Sequence, residues 1–307
     1  VSGGGLAMEG GRVDGGVGES GGAVRVAGAG ASFCARESSM QSSQQSGLVV
    51  REGARAALEH VTLNSCGWYG VWVVGTGSEV SAVHCYMEKN RKSNTTVKEG
   101  AHAHMRHCIS NGSREAHGCL VAGKGSSLVA ESSSASSNKD CGVVCVEGAS
   151  ASLSSVTADK NEGVAGMGVA GKGSSLVVSD GSSASSNKEG GVVCQDGGTA
   201  SLSSVTANKN GKEGWYVRGL GSSLVVSDGS SAKSNKLSGA AVFKGASATL
   251  SGVNVDKNEN FGMGVFEKGS SLVADSSSAS KNKEGGVVCV EGASASLSSV
   301  TADKNGQ

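Results

Sequence analysis

All six histidines of the chain lie in its first half, and their spacing is regular. His60, His84 and His107 follow one another at intervals of about 24 residues. His102 and His104 stand two residues apart, a spacing that puts both side chains on one face of a β-strand. Neighbouring imidazoles bind transition metals or transfer protons, but the same pattern also suits polar surface residues without a chemical role. The histidines therefore leave a reactive surface and an inert one as open alternatives.

One tryptophan extends this group of residues. Trp72 lies in the same segment, residues 47–117, and an aromatic ring beside polar groups either stacks on a sugar ring or covers a sparse core. The candidate surface patch comprises His60, His84, His102, His104, His107 and Trp72. Its candidate metal ligands are His60, His84 and His107. No catalytic residue can be assigned, and no cofactor is expected, because no helical pattern follows the Gly-x-Gly stretches as a phosphate loop requires.

The cysteines indicate packing more than chemistry. Nine is an odd number and no Cys-x-x-Cys occurs, so the pattern is not a disulfide framework and favours a reducing, intracellular compartment. Cys145, Cys194 and Cys289 occupy equivalent positions in repeated segments and are predicted to be small buried apolar residues. Two N-glycosylation sequons begin at Asn94 and Asn111, which leaves a secreted location open.

Composition excludes two broad classes of function. The chain has 307 residues with 27 basic and 27 acidic side chains, so its net charge is zero. Proteins that bind nucleic acid in general depend on neutralising phosphates with excess basic residues, and this chain has none in excess. No apolar run approaches the roughly 20 residues of a membrane-spanning helix. We expect no nucleic-acid partner and no membrane span.

Internal repetition determines the architecture. A glycine-initiated segment containing "GSSLV" recurs every 48 residues, and a related segment containing "ASLSSV" or a variant of it lies between its copies. The unit is therefore a pair of half-units of 23 to 25 residues, and weaker half-units continue upstream. The clear copies start at Gly118, Gly142, Gly166, Gly191, Gly214, Gly239, Gly262 and Gly286, and the weaker ones at Gly22, Gly47 and Gly70.

Each half-unit alternates apolar and polar residues with a period of two, which is the pattern of a β-strand. Such a short unit cannot bury its apolar side alone, so the repeat predicts a solenoid in which successive coils stack. Val143, Cys145, Leu153 and Val156 are predicted to point inward. The double period also has a packing explanation, because a leucine such as Leu176 aligns with a small alanine in the next half-unit.

These features resemble the right-handed parallel β-helix of the pectate-lyase-like superfamily. The matching features are the "GVxV…SLxL…V" coil and an asparagine near the end of each half-unit. In that family the stacked asparagines hydrogen-bond from coil to coil. The asparagines of this chain are Asn138, Asn161, Asn187, Asn210, Asn235, Asn258, Asn282 and Asn305.

The resemblance implies an all-β, right-handed parallel β-helix solenoid of about 12–13 coils. It extends over residues 1–307 as one domain, with divergent coils in 1–117 and near-identical double-coil repeats in 118–307. Because no capping unit ends the repeat on either side, we expect the domain to be part of a longer chain or to associate end to end.

The resemblance leaves function open, because this fold occurs in lyases, hydrolases, epimerases, adhesins and scaffolds. The polygalacturonase set "NTD…DD…GHG…RIK" is absent, and the "DPH" element of alginate epimerases needs a proline that the chain lacks. We therefore expect a non-enzymatic structural or protein-interaction rod within a larger assembly. The alternative is a carbohydrate-active protein (a polysaccharide lyase, hydrolase, epimerase or binder) that uses coils 47–117. The expected partner is accordingly other proteins or a polysaccharide.

Overall fold

A computed structural model describes residues 4–14 and 22–306. Within these residues the backbone forms strands, bridges and turns but no helix, and so no described helix is long and apolar enough to cross a membrane. The chain divides into two compact units, residues 1–152 and 153–307. Strands are numbered β1 to β27 in chain order.

In the first unit, each coil contributes one strand to each of two parallel sheets. Sheet 1 consists of β3 (Gly22–Ala27), β6 (Ser46–Arg51), β8 (Val71–Val74), β10 (Thr95–Lys98), β12 (Cys119–Ala122) and β14 (Val143–Val146). Sheet 2 consists of β1 (Gly5–Glu9), β4 (Ser32–Arg36), β7 (Arg55–Glu59), β9 (Glu79–Val83), β11 (His102–Arg106) and β13 (Ser127–Glu131). The third face is formed by β2 (Arg12–Asp14), β5 (Ser39–Gln41) and single bridges such as Thr62 to Tyr86.

The second unit repeats this plan, and the boundary between the units falls within β15 (Ser150–Ser154). Its sheet 1 strands are β16 (Ala165–Ala170), β18 (Gly190–Gln195), β20 (Trp215–Arg218), β22 (Ala240–Phe243), β24 (Phe261–Val265) and β26 (Gly285–Cys289). Its sheet 2 strands are β17 (Ser175–Ser179), β19 (Thr199–Ser203), β21 (Ser223–Ser227), β23 (Ser247–Ser251), β25 (Ser271–Asp275) and β27 (Ser294–Ser298). The predicted fold class is confirmed as a parallel β-solenoid of about 12 coils.

The core is built from the inward positions that the period-two pattern predicted. Val143, Cys145, Leu153 and Val156 are each at most 1% exposed. Cys289 differs from its equivalents and is exposed, because it lies in the last described coil, where no following coil covers it. The inward register of the earlier coils is therefore confirmed.

Large and small side chains alternate down the inner column of sheet 2 in the second unit. Leu176 pairs with Ala200, and Ala200 in turn pairs with Leu224. At the next inward position the smaller Val178 pairs with the larger Leu202. A coil with the larger side chain at the first position has the smaller one at the second, and the next coil has the reverse. Large side chains therefore pack over small ones in neighbouring coils, and the interior is closely packed. This explains why the sequence repeats every two coils.

Buried asparagines form a hydrogen-bonded ladder along the second unit. Each amide Nδ2 donates to the Oδ1 of the asparagine one coil further on, at 3.0–3.2 Å from Asn161 to Asn305. The same Oδ1 also accepts the backbone N–H of the preceding ladder residue, as in Asn187 N to Asn210 Oδ1 at 2.9 Å. The amide groups of the ladder are buried, so each hydrogen bond between them replaces a bond to water that is lost on folding.

The first unit keeps this ladder by a local substitution. Ser113 stands where an asparagine is expected, and its backbone N–H donates to Asn138 Oδ1 at 2.9 Å. A buried asparagine from the neighbouring turn, Asn94, fills the gap by accepting from Asn90 Nδ2 and donating to Asn138 Oδ1. Asn94 is also the first residue of a sequon, and at 0% exposure it is a structural residue in the folded chain.

We expect Asn210→Ala to lower the free energy of unfolding by about 2 kcal/mol. The substitution leaves the backbone N–H and the Nδ2 group of Asn187 without their buried acceptor, and it removes one of the two donors to Asn235 Oδ1. An unsatisfied buried group costs about 1–3 kcal/mol. Urea unfolding followed by circular dichroism measures the difference. The matched control is Asn260→Ala, since Asn260 is half-buried and makes none of the ladder bonds. Equal losses in both variants would contradict a special contribution of the ladder.

Candidate functional site

Three of the predicted histidines form a stacked column in the first unit. The ring centroids of His60 and His84 are 4.9 Å apart with an interplanar angle of 4°, and those of His84 and His107 are 4.8 Å apart at 9°. All three residues are exposed and follow sheet 2 strands at a turn position with φ between 52° and 54°. Histidine is among the residues that tolerate this left-handed conformation. The shared backbone conformation of the turn therefore places the three imidazole rings one above another.

This stack does not have the geometry of a metal chelate. A metal bound by imidazole lies close to the plane of each ring, and parallel planes nearly 5 Å apart do not meet at one ion. Among the described residues, the one cluster of three or more metal-ligand side chains lies elsewhere in the unit. A metal on His60, His84 and His107 stays a prediction that would require the rings to rotate.

The other two histidines of the patch lie on the outward face of sheet 2. His102 and His104 both point outward from β11, and His102 Nδ1 lies 2.7 Å from Ser127 Oγ. His104 pairs with Ser81 on one side and Val129 on the other. Ser81 lines three adjoining depressions of about 620, 340 and 200 Å³ along the outward face, and His104 lines the smallest of them. The result is a shallow open groove.

Charges along this groove are largely paired. Arg36 contacts Glu59 at 2.7 Å, and Arg55 contacts Glu79 at 3.4 Å, with all four side chains substantially exposed to solvent. Exposed pairs of this kind contribute little stability and attract no particular charge. Among the residues that the structure describes, no aromatic ring other than the imidazoles lies on the outward side of the groove, so it offers little surface for stacking a sugar.

Trp72 is not brought together with the histidines. It lies on β8 of sheet 1, whereas the histidine column and His104 belong to sheet 2 and its following turn. Its ring contacts Tyr69, with centroids 5.7 Å apart, and its indole nitrogen is buried without a hydrogen-bond partner. Six residues grouped by sequence therefore occupy two separate surfaces.

The second unit contains a cleft that the sequence interpretation missed. It lies on the outward face of sheet 1 and has a volume of about 430 Å³, within the range typical of ligand sites. Its lining combines aliphatic, aromatic and charged side chains. These residues are Val164, Glu189, Gly190, Val193, Gln195, Lys212, Glu213, Tyr216, Leu237 and Phe243.

An aromatic cluster forms one side of this cleft. The centroids of Tyr216 and Phe243 are 5.5 Å apart, and Phe243 stacks on Phe266 at 4.6 Å with an angle of 12°. Gly264 makes this stacking possible, because a Cβ at that position would meet Phe266 Cε2 at 2.4 Å. The burial of the phenol raises the pKa of Tyr216, with Arg218 opposing that effect.

Two carboxylates in the cleft have different surroundings. Burial raises the pKa of Glu213, and the nearby negative charge of Glu189 raises it further. Glu189 instead contacts Lys212, with 3.0 Å between Oε2 and Nζ. A carboxyl group with a raised pKa beside an ion-paired carboxylate is an arrangement found in sites that transfer protons.

A compositional signal for this cleft is present in the sequence. The chain has 10 aromatic residues, as 3 Trp, 3 Tyr and 4 Phe, and five of them lie between residues 215 and 266. They interrupt repeats that are otherwise nearly identical. The regularity of the surrounding repeat masks them, because residues 47–117, where the repeat degenerates, differ more visibly from the other coils.

The coils and the cleft together define a β-solenoid with a ligand-sized site on one sheet. A family model described as the right-handed beta helix region matches residues 21–180 and 167–307. The chain belongs to this right-handed β-helix family, as the coil pattern and its asparagines indicated. No curated protein matches the sequence significantly.

Solved structures show the same fold at low sequence identity. The A-module of the Azotobacter vinelandii mannuronan C-5 epimerase AlgE6 matches with a TM-score of 0.65 and 14% identity, covering 97% of this chain and 90% of that one. The Agl-KA catalytic domain matches at 0.57 and 11%, covering 96% and 62%. A double mutant of the periplasmic alginate epimerase AlgG matches at 0.51 and 10%, covering 88% and 72%.

The expected structural or protein-interaction rod is wrong on these findings. The three solved structures named above are epimerases of mannuronan and alginate and a catalytic domain, which favours the carbohydrate-active alternative. The near-identity of the repeats misled the interpretation, because repetition constrains the inward positions and says little about the outward ones. A polysaccharide is the partner class compatible with the comparisons.

We expect the contribution of Glu213 to the free energy of unfolding to fall as the pH rises above about 4.5, and Glu213→Gln to remove that contribution. Because the pKa of Glu213 is raised above its ordinary value of 4.5, the folded chain holds a proton that the unfolded chain has already released. Glutamine keeps the uncharged shape without titrating. Urea unfolding between about pH 4 and pH 7 measures the effect.

The control for this experiment is Glu291→Gln, which removes an exposed carboxylate of the same unit. It should follow the wild-type dependence on pH. Parallel curves for Glu213→Gln and the wild type would contradict a buried, proton-holding Glu213.

Proposed function

We propose that this chain is a carbohydrate-active β-helix protein that binds a polysaccharide at the cleft beside Tyr216. The observation that carries the proposal is the aromatic cluster with carboxylate, amide and ammonium groups around one cavity in the second unit. The likeness in fold to epimerases of mannuronan and alginate supports the substrate class.

The chemistry of the cleft suits a sugar ring. The half-buried ring of Tyr216 offers an apolar surface for the C–H groups of a pyranose. Gln195, Glu189 and Lys212 offer hydrogen-bond acceptors and donors for its hydroxyl groups. A site with an apolar wall and a few fixed polar groups is the usual arrangement for a small ligand. The parallel strands continue past the cleft, so a polymer has room to extend along the sheet.

Charge favours a neutral sugar over a uronate at this cleft. Lys212 is already paired with Glu189, and Glu213 adds a second carboxyl group to the same cavity. A uronate carboxylate entering there would meet the carboxylate of Glu189, which already pairs with Lys212, and close like charges repel. The absent "DPH" element agrees with a reaction other than the epimerisation of its structural neighbours.

The two carboxyl groups of the cleft support a second candidate function, the hydrolysis of a glycosidic bond. Glycoside hydrolysis uses one protonated carboxyl group to donate to the leaving oxygen and one carboxylate on the other side of the bond. Glu213, with its raised pKa, suits the proton donor, and Glu189, ion-paired to Lys212, suits the carboxylate. In one route Glu189 takes a proton from the water molecule that attacks the anomeric carbon. In the other route Glu189 attacks that carbon itself, and water later releases the sugar from it. In both routes the glycosidic C–O bond breaks and Glu213 gives its proton to the departing oxygen.

We expect Tyr216→Ala to weaken binding of a neutral polysaccharide about tenfold, because an aromatic stacking contact contributes about 0.5–1.5 kcal/mol. Affinity electrophoresis against neutral glucans and against alginate, followed by calorimetry with oligosaccharides, measures the change and compares the two sugar classes. The matched control is Tyr86→Ala, since Tyr86 is 46% exposed on the third face of the first unit.

A second control tests the patch that the sequence singled out. His104→Ala should leave the affinity unchanged. If His104→Ala weakens binding and Tyr216→Ala does not, the sugar contact lies in coils 47–117 and the cleft proposal fails. Absence of binding to every polysaccharide would contradict the proposed function as a whole.

For hydrolysis, we expect Glu213→Gln to lower the rate of reducing-end release at least about 100-fold, the usual effect of losing a general acid. Glu189→Gln should lower it comparably, whereas Tyr216→Ala should act mainly through KM. The rate of the wild type should fall as the pH rises through the raised pKa of Glu213, because its proton is then lost. Binding without reducing-end release would exclude hydrolysis and leave the binding function standing.

A further inference from the structure

A second chemical site lies in the first unit, outside both the groove and the histidine column. His117, Asp140 and Cys141 present one nitrogen, one oxygen and one sulfur atom that all lie within 4.8 Å of one another. Asp140 Oδ2 is 3.6 Å from His117 Nδ1, and Asp140 Oδ1 is 3.5 Å from Cys141 Sγ. Among the described residues, no other three side chains of metal-ligand type come this close.

The backbone of two successive coils holds these side chains in place. His117 and Cys141 each stand two residues before a sheet 1 strand, β12 and β14, and these strands pair in parallel with Cys119 opposite Val143. The backbone carbonyl of Cys141 accepts the Gly118 N–H at 3.0 Å. The Asp140 N–H donates to the carbonyl of Ala116 at 3.0 Å. Backbone hydrogen bonds between the two coils therefore hold the three side chains close together, and the coils need not move for these side chains to meet.

The protonation state of the histidine suits metal binding. The Cys141 backbone N–H donates to His117 Nδ1 at 3.3 Å, so this nitrogen carries a lone pair and the other ring nitrogen carries the proton. A metal ion bound at Nδ1 would take the place of this long hydrogen bond. A neutral imidazole is the form that binds a metal ion.

The donor set points to one metal. Sulfur excludes Mg²⁺ and Ca²⁺, which take oxygen ligands, whereas Zn²⁺ accepts nitrogen, oxygen and sulfur together in a tetrahedral arrangement. Cys141 lies on the buried side at 2% exposure. The side chains of His117 and Asp140 are 20% and 42% exposed. An ion would therefore reach the site from the solvent side, where His117 and Asp140 lie, and the sulfur of Cys141 would bind it from the buried side.

We propose that His117, Asp140 and Cys141 bind Zn²⁺ with a fourth coordination position open to solvent. Three protein ligands with one open position are the arrangement of a zinc site that can exchange a water or bind a further group. The thiol loses its proton to solvent when the ion binds, so zinc affinity increases as the pH rises. The site involves no residue of the sugar cleft, and its test is independent of the proposed function.

The full chain, freed of metal by a chelator, is titrated with ZnCl₂ alone in a calorimeter. We expect one Zn²⁺ per chain, a rise in Tm on zinc addition, and a thiolate charge-transfer band when Co²⁺ replaces Zn²⁺. Cys141→Ser should abolish the cobalt band. It should also raise the Kd for Zn²⁺ at least about 100-fold, more than the loss of a residue that merely supports a ligand. His117→Gln should raise the Kd comparably.

Two matched variants separate this site from its alternatives. Cys119→Ser removes another buried thiol of the same unit, whose pKa burial raises to about 11, and should leave zinc binding unchanged. His84→Ala disrupts the stacked histidines and should also leave it unchanged. The proposal is overturned if no zinc binds at micromolar concentration, if Cys141→Ser binds as the wild type does, or if His84→Ala is the variant that loses the metal.

Discussion

The constraint on which this structure depends is that every inward residue packs on its own equivalent one coil away. Parallel strands in neighbouring coils are about 4.8 Å apart, so each side chain in a column must fit the next one closely. Leucine above alanine and asparagine above asparagine are two solutions, one by shape and one by hydrogen bonding. Both act along the solenoid axis and leave the outward columns free to vary.

That freedom explains where the chemistry is found. The outward column of sheet 1 in the second unit changes from Gly168 through Val193 and Tyr216 to Ala241, while the inward columns keep their pattern. Small residues beside a large ring create a cavity, and the charged turn before the strand supplies Glu189 and Glu213 to its rim. A cleft can therefore form inside a nearly perfect repeat without any insertion or long loop.

Fold and function are separate conclusions for a chain of this kind. The right-handed β-helix hosts several activities, so membership of the family identifies the scaffold, and the groups in a particular cavity must identify the chemistry. Here the cleft beside Tyr216 combines stacking with two carboxyl groups in unlike surroundings. The zinc-type cluster at His117 is a different combination of ligands on the same kind of turn. The turns that precede sheet 1 strands thus carry different sets of polar side chains in different coils.

The sequence by itself determined the coil, its inward residues and the double period, because these follow from local alternation and repeat length. It also predicted that His60, His84 and His107 share a column, since equivalent positions in a solenoid stack. Only the tertiary structure separated Trp72 from His104, brought Tyr216 beside Phe243, and placed Asp140 between His117 and Cys141. Those contacts depend on side-chain direction across different coils, and a linear pattern carries no information about which outward side chains lean towards each other.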